Sequence, residues 1–250
     1  MGNDVYKTIL QKFLNKKKQY WILLDPDDFS QNSAADLVEI AQNCGVDAVL
    51  VGGSLIHTDS LEIFVAKIKE KSLIPIILFP GDSSQIAKNA DAILFMSLIS
   101  GRNPDFLIGQ QVKGAVQIAR NKIEPIPMGY MLIESGTVTS VEFMSNTHPI
   151  PREKSNIAAA HALAAQFLGM KMLYLEAGSG AKIPVPNEMI SAVKKSVSIP
   201  LIVGGGINDS ETAKQKFSFG ADILVTGNML SKKNGIKIMK EIAETAKNYE

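Results

Sequence analysis

The sequence has 250 residues, 26 basic against 25 acidic side chains, a net charge of +1 and 46% hydrophobic residues. This balance excludes a nucleic-acid binder that works through an extended basic surface. No apolar run reaches the roughly 18 residues that a membrane-spanning helix needs. The one cysteine, Cys44, excludes an internal disulfide and suits a reducing compartment. Met1 to Lys18 is polar and charged, unlike a secretory leader, so a cytoplasmic location is expected. The basic run Lys16-Lys17-Lys18 reads as a solvated helix end, or as a weak attraction to an anionic membrane that would allow peripheral contact.

In chain order, Val5, Tyr6, Ile9, Leu10, Phe13 and Leu14 follow helical spacing and predict a helix over Asn3 to Lys17. Tyr20 to Leu24 is a short apolar strand that ends at Asp25-Pro26-Asp27-Asp28. Ser33 is the expected N-cap of a helix stopped by Gly45. Ala48 to Val51 is the second strand, ending in Gly52-Gly53-Ser54, and a helix is expected from Asp59 to Lys71. The third strand, Ile74 to Phe79, leads to a short helix over Ser83 to Asn89. The fourth is Ala92 to Phe95. Met96 to Lys122 is the least regular stretch: Pro104 suits a first helical turn, but Gly101, Gly109 and Gly114 weaken a helix. The fifth strand spans Ile126 to Ile133 and a long polar loop follows.

An alanine-rich helix runs from Ser155 to Leu168. The sixth strand, Met172 to Leu175, enters Glu176-Ala177-Gly178-Ser179-Gly180, and Asn187 is placed to cap the next helix. The seventh strand starts at Pro200 and enters Gly204-Gly205-Gly206. Asn208 or Asp209 caps the helix to Phe219. The eighth strand, Ile223 to Thr226, ends at Gly227-Asn228, and the last helix covers Lys232 to Lys247. Short continuous Val/Ile/Leu runs are what parallel strands buried on both faces look like. Eight of them alternating with helices predict a single-domain (β/α)8 TIM barrel over residues 1–250.

In such a barrel the chemistry lies at the C-terminal ends of the strands. Three neighbouring ends are glycine turns: Gly178 to Gly180, Gly204 to Gly206, and Gly227-Asn228. Glycine lets backbone N–H groups approach a ligand closely and form an anion nest, so a phosphate is the expected guest. Glu176 either binds a hydroxyl of that substrate, acts as a base, or forms a structural ion pair with a cation such as Lys182. Tyr174 either donates to the phosphate or packs. Asp25, across the barrel, is a turn residue or, with Ser54, a site for Mg²⁺. His57, His148 and His161 are scattered, so no zinc site is expected. Strands without lysine disfavour a Schiff-base aldolase. Arg102 and Asn103 face the site or serve a loop.

Tyr174-Leu175-Glu176-Ala177-Gly178-Ser179-Gly180, with Ile202 to Ile207 and Val225 to Asn228, resembles the geranylgeranylglyceryl phosphate synthases and their heptaprenylglyceryl phosphate synthase relatives. Leu24-Asp25-Pro26, Val51-Gly52-Gly53-Ser54, Asn103-Pro104 and Ile108-Gly109 match the same family in the same order, so the likeness covers nearly the whole chain. The resemblance implies transfer of a prenyl diphosphate, here geranylgeranyl by preference, to the C3 hydroxyl of sn-glycerol 1-phosphate. It implies a Mg²⁺ site at Asp25 and Ser54. It places glycerol phosphate on Tyr174 to Gly180, Gly204 to Gly206, Gly227 and Asn228, and implies a homo-oligomer and a barrel with one outer helix replaced. Asp82 to Asn89 and Met96 to Lys122 are the candidate departures. Glu176 would orient the acceptor and take its proton, making Glu176 and Asp25 the catalytic candidates. Phe79, Phe95, Phe106, Tyr130 and Met131 are the aromatic and flexible residues from which a prenyl groove would be drawn. Two other readings share the phosphate site: a sugar-phosphate isomerase, epimerase or lyase, and a barrel that binds a phosphometabolite or lipid without turnover.

Overall fold

Side chains alternate between the two faces of a strand, and in this chain both faces are covered. The computed structural model describes residues 4–57 and 61–249. Strands β1 (Gln19–Leu24), β2 (Ala48–Val51), β3 (Ile76–Leu78), β4 (Ala92–Leu98), β5 (Glu124–Leu132), β6 (Met172–Glu176), β7 (Leu201–Gly204) and β8 (Ile223–Thr226) close in sequence order into one barrel. All neighbours are parallel, and the closing pair sets Tyr20 opposite Leu224 and Ile22 opposite Thr226. Trp21, Leu50, Leu94, Met128 and Tyr174 fill the interior. Ile22, Val49, Ile93, Leu173 and Val203 face outward into a second apolar layer beneath the helices.

The lower end of the barrel is closed by α1 (Val5–Leu14), whose Val5 and Ile9 join the interior cluster around Trp21. Glu124 holds this plug by accepting from the Val5 and Tyr6 N–H groups at 2.6 and 3.1 Å. Beside it lies a repeated device. Asp47, Asp91 and Asp222 each immediately precede an even-numbered strand, and each accepts a backbone N–H of an odd-numbered strand: Tyr20, Ile76 and Leu201 respectively. Each also pairs with a lysine, Lys12, Lys69 or Lys194. The carboxylates thus fix strand register at the end away from the chemistry.

The remaining helices are α2 (Gln31–Cys44), α3 (Leu61–Lys69), α4 (Gln110–Asn121), α5 (Ser140–Ser145), α6 (Ser155–Phe167), α7 (Asn187–Ser196), α8 (Ser210–Ser218) and α9 (Gly235–Lys247). Gly45 ends α2 at φ 94°, where glycine carries no Cβ penalty. Several expectations change. The helix starts expected at Asn3 and Asp59 lie outside the described residues. Ser30, not Ser33, caps α2, because its side chain reaches the Ser33 N–H. Asn187 begins α7 rather than capping it, and its side chain is taken by Lys216. The polar loop after β5 holds α5, capped by Thr139.

The largest differences flank β4. Residues 83–89 form turns, not a helix, so the outer layer lacks a helix between β3 and β4. Conversely, the stretch expected to be irregular is a π-helical turn, Asp105–Gly109, running straight into α4. Its glycines mark close packing rather than helix ends. A Cβ on Gly109 would stand 2.5 Å from Asp105 Oδ1, and one on Gly114 would stand 3.1 Å from Ile86 Cδ1. Tertiary contact has outweighed propensity here.

The carboxylate ladder generates a prediction. Asp222→Ala strands both the buried Leu201 N–H and the Lys194 ammonium, and should lower unfolding free energy by roughly 3 kcal/mol in urea denaturation. Asp222→Asn keeps an acceptor for Leu201 and should lose less.

Candidate functional site

The C-terminal ends of the strands enclose a cavity of about 540 Å³. Its floor is aromatic: Phe79 stacks on Tyr174 with ring centroids 5.4 Å apart and planes at 9°, and Tyr130 lies against both at 5.9 and 5.4 Å. Glu176 sits directly above, on the same face of β6 as Tyr174, and is only 6% exposed. Burial drives its carboxyl up to about 7, against the pull of hydrogen bonds from the Gly178 N–H and the Tyr174 hydroxyl. The Gly178 N–H reaches Oε1 at 2.6 Å. Among the described residues its partners are the Gly178 N–H and the Tyr174 hydroxyl, and no salt bridge joins it to Lys182.

Register brings the glycine turns to Glu176. Glu176 lies opposite Gly204 in the β6–β7 pair. A Cβ on Gly204 would stand 2.3 Å from the Tyr174 hydroxyl, and one on Gly205 would stand 2.6 Å from Glu176 Oε1. Gly178, Gly180, Gly205 and Gly206 adopt φ of 102°, 72°, 83° and 72°, which side chains rarely tolerate. Ser179 Oγ donates to Asn228 Oδ1 at 2.6 Å and ties the loop after β6 to the loop after β8. Gly178 to Gly180, Gly205, Gly206, Gly227 and Asn228 therefore share one wall of the cavity. The pleat turns Leu175 and Ala177 the other way, into the apolar layer beneath the helices, so their side chains do not face a ligand. Gly204 lies beneath the Tyr174 hydroxyl rather than on the cavity wall.

Asp25, Asp28, Gly53 and Ser54 line the opposite wall. Asp25 Oδ1 accepts from the Asp27 N–H at 3.0 Å, and Oδ2 faces Gly53, where a Cβ would stand 2.5 Å away. Burial raises the Asp25 carboxyl above its usual range. The Asp27 N–H opposes this, and the Asp28 and Asp27 charges add to it. Gln85 donates to Gly53 O at 2.9 Å and accepts from the Gly81 N–H at 3.0 Å, which braces this wall.

From between the two walls the cavity continues down the flank of the barrel, into the space left by the helix missing after β3. Ile86, Ile93, Phe95, Gly114 and Ile118 line it. Gln110, Gly114 and Ile118 recur at helical spacing on one face of α4, which gives the channel a depth of about 12 Å along that helix. Phe79, Phe95, Phe106 and Tyr130 belong to the cavity wall. Met131 does not, because its position in β5 points into the outer apolar layer. Arg102 donates to Gly101 O at 2.7 Å and Asn103 to Ser145 O at 2.7 Å, so both serve their loop. Sequence reasoning missed Gln85, Gly114 and the rim cation Lys232. Only Gly114 carried a signal, since a glycine inside a helix demands a packing reason.

A parallel (β/α)8 barrel with an anion cradle, a buried carboxylate and an apolar flank channel in one cavity defines a barrel for amphiphilic phosphate substrates. The chain belongs to the PcrB family, whose model matches residues 12–246. It is 48% identical to a geranylgeranylglyceryl phosphate synthase of Thermococcus kodakarensis, over 95% of this chain and 94% of that protein. It is 49% identical to one of Thermococcus gammatolerans, over 92% of each chain. The crystal structure of (S)-3-O-geranylgeranylglyceryl phosphate synthase from Thermoplasma acidophilum, in complex with its substrate sn-glycerol-1-phosphate, superposes with a TM-score of 0.92 at 37% identity. That match covers 97% of this chain and 98% of the other.

Burial of Glu176 makes stability depend on pH. Its folded pKa of about 7 lies above the ordinary carboxylate value, so the unfolded chain loses its proton first and stability falls as pH rises between the two. Above pH 7, Glu176→Gln should therefore raise the melting temperature, recovering on the order of 3 kcal/mol, with little gain at pH 4.

Proposed function

We propose that this chain is a Mg²⁺-dependent prenyltransferase that joins a prenyl diphosphate to the C3 hydroxyl of sn-glycerol 1-phosphate as an ether and releases diphosphate. Geranylgeranyl diphosphate is the donor we favour. The observation that carries the reading is the continuity of one cavity from the glycine cradle, past Glu176, to the apolar channel between β4 and α4. An anion and a long hydrocarbon would thus lie on either side of one carboxylate. The similarity to named geranylgeranylglyceryl phosphate synthases supports it.

The reaction breaks the bond between the allylic carbon and diphosphate and forms a new bond from that carbon to the acceptor oxygen. The N–H groups of Gly178 to Gly180, Gly205, Gly206 and Gly227 would hold the acceptor phosphate, with Ser179 and Asn228 beside them. Tyr174 supports Glu176 from below. Glu176 would orient the C3 hydroxyl and receive its proton, and a pKa of about 7 suits a base that works near neutrality. The oxygen-only donors Asp25 and Ser54 fit Mg²⁺, and Asp25 is a carboxylate whose burial leaves its charge under-compensated. When bound, Mg²⁺ would neutralise charge on the departing diphosphate. Phe79, Phe95 and Phe106 line the path of the hydrocarbon chain. We also favour a cytoplasmic homo-oligomer, with Ile108, Val112 and Val116 exposed along one face of α4 and its leading turn as the supporting surface. Among the described residues no helix is long and apolar enough to cross a membrane.

The deciding experiment is a labelled transfer assay with sn-glycerol 1-phosphate, Mg²⁺ and a ladder of prenyl diphosphates, with sn-glycerol 3-phosphate and a chelator as controls. An ether lipid formed from one enantiomer, and lost with the chelator, is expected. Absence of product with every donor would return the site to sugar-phosphate chemistry.

Glu176→Gln should lower kcat by roughly 10²-fold or more. The wild type should show a rise in kcat/KM as pH increases through about 7, and Glu176→Gln should abolish it. Gly114→Leu fills the channel opposite Ile86, and should cut kcat/KM for geranylgeranyl relative to shorter donors by about tenfold while leaving the acceptor KM unchanged.

A further inference from the structure

Lys216 lies on the buried face of α8 beside Ala213 and Phe217 and is only 4% exposed. Its ammonium donates to two neutral oxygens, Val185 O at 2.8 Å and Asn187 Oδ1 at 2.7 Å. Val185 lies in the chain between β6 and α7, the continuation of the Gly178–Gly180 turn, and Asn187 is the first residue of α7. Arg152, from the loop after β5, donates to the preceding carbonyl, Pro184 O, at 2.9 Å and to Glu134 O at 2.8 Å. Two cations thus grip adjacent carbonyls. Pro184 is also the residue against which Gly206 closes: a Cβ on Gly206 would stand 2.9 Å from Pro184 N. Carbonyl clamp, Pro184 and cradle glycine are therefore in direct sequence and contact.

A buried ammonium held by neutral acceptors is an expensive way to fix a loop, since its charge is not matched locally. Arg152 makes matters worse and Glu188, at the start of α7, makes them better. Together with burial these leave Lys216 lowered to about 8. An apolar residue on α8 would leave Val185 O and Asn187 Oδ1 without this donor, so the ammonium is kept for its grip on the loop.

We propose that Lys216 and Arg152 are positioning residues for the acceptor: they hold Pro184 and Val185 so that the loop after β6 closes on Gly206 in the shape that takes the phosphate of glycerol phosphate. This rests on the function proposed above and adds the support beneath its anion site. The phosphate, once bound, favours the charged form of Lys216, so acceptor binding and Lys216 protonation are linked. Arg152 stays charged throughout the working range, and Glu188 is a carboxylate that favours the charged ammonium. The phosphate, with a second ionisation near pH 6, is already a dianion where Lys216 titrates.

The test combines steady-state kinetics with calorimetric titration of sn-glycerol 1-phosphate at pH 8 in buffers of different ionisation enthalpy. Lys216→Met should raise the acceptor KM by roughly tenfold, since charged hydrogen bonds to the loop are lost, and move the donor KM by less than about twofold. Arg152→Met should act in the same direction. The wild type should take up a fraction of a proton on binding the acceptor and Lys216→Met none. Asn187→Asp places a carboxylate on the ammonium and should move the alkaline loss of acceptor binding to higher pH. A folded Lys216→Met enzyme with unchanged acceptor KM overturns the proposal, as does a parallel loss of both KM values and kcat. Should that variant fail to fold, an Asn187→Asp enzyme with an unmoved alkaline limb overturns it alone. A wild type that neither binds nor turns over sn-glycerol 1-phosphate overturns the proposed function itself, a result separate from all of these.

Discussion

The upper half of this barrel is built around one carboxylate buried inside an aromatic and glycine shell. Glu176 lies over Phe79, Tyr130 and Tyr174, where water is scarce. Isolated burial would hold it neutral at any useful pH. The Gly178 N–H and the Tyr174 hydroxyl bring it back to the neutral range. The Tyr174 hydroxyl and the carboxylate it serves each impose a geometric condition. The Tyr174 hydroxyl occupies the space a side chain at residue 204 would need, and Glu176 Oε1 the space one at residue 205 would need. Gly204 and Gly205, at the end of β7, thus make room for the carboxylate and its donor whatever else they bind.

The two ends of the barrel use opposite chemistry. At the lower end Asp47, Asp91 and Asp222 lock odd strands to even ones with charge-assisted bonds, and α1 shuts the opening. At the upper end the backbone turns freely and few side chains intervene. The left-handed turns above fall on glycines, Gly178, Gly180, Gly205 and Gly206, so they cost no side-chain strain.

Much of this was legible in the sequence. Eight apolar runs without polar alternation read as strands buried on both faces, and the glycine turns at three successive strand ends gather on one cavity wall. Glu176 and Tyr174 followed from strand alternation alone. Other features were hidden for physical reasons. Residues 83–89 have helical composition, but Gln85 is drawn away to bridge Gly53 and Gly81, so the segment follows the cavity wall instead. Residues 105–121 carry glycines that read as helix breakers, yet Gly109 makes room for the Asp105 carboxylate within its own turn and Gly114 lies where the helix meets Ile86. Leu175 and Ala177 sit inside the most distinctive motif but point outward, because a motif does not report the pleat. The aspartate before β2, β4 and β8 is a repeat visible in the letters, though nothing in one sequence says that its partner lies on the adjacent strand. Lys216 gave no signal at all: a lysine on an amphipathic helix looks solvated until the loop it grips is placed beside it.

The helix missing between β3 and β4 has a consequence beyond making room. In a complete barrel each stretch of outward-facing strand is roofed by protein. Here Ile93 and Phe95 face a channel whose far side is α4 and a run of turns. A hydrocarbon chain lying in that channel would supply the apolar contacts that the absent helix supplies elsewhere, so the substrate itself would finish the outer layer of the fold. Occupancy would then add to folding free energy by mass action, and the sector between β3 and α4 would be the part of the barrel whose cohesion rises and falls with the supply of lipid precursor.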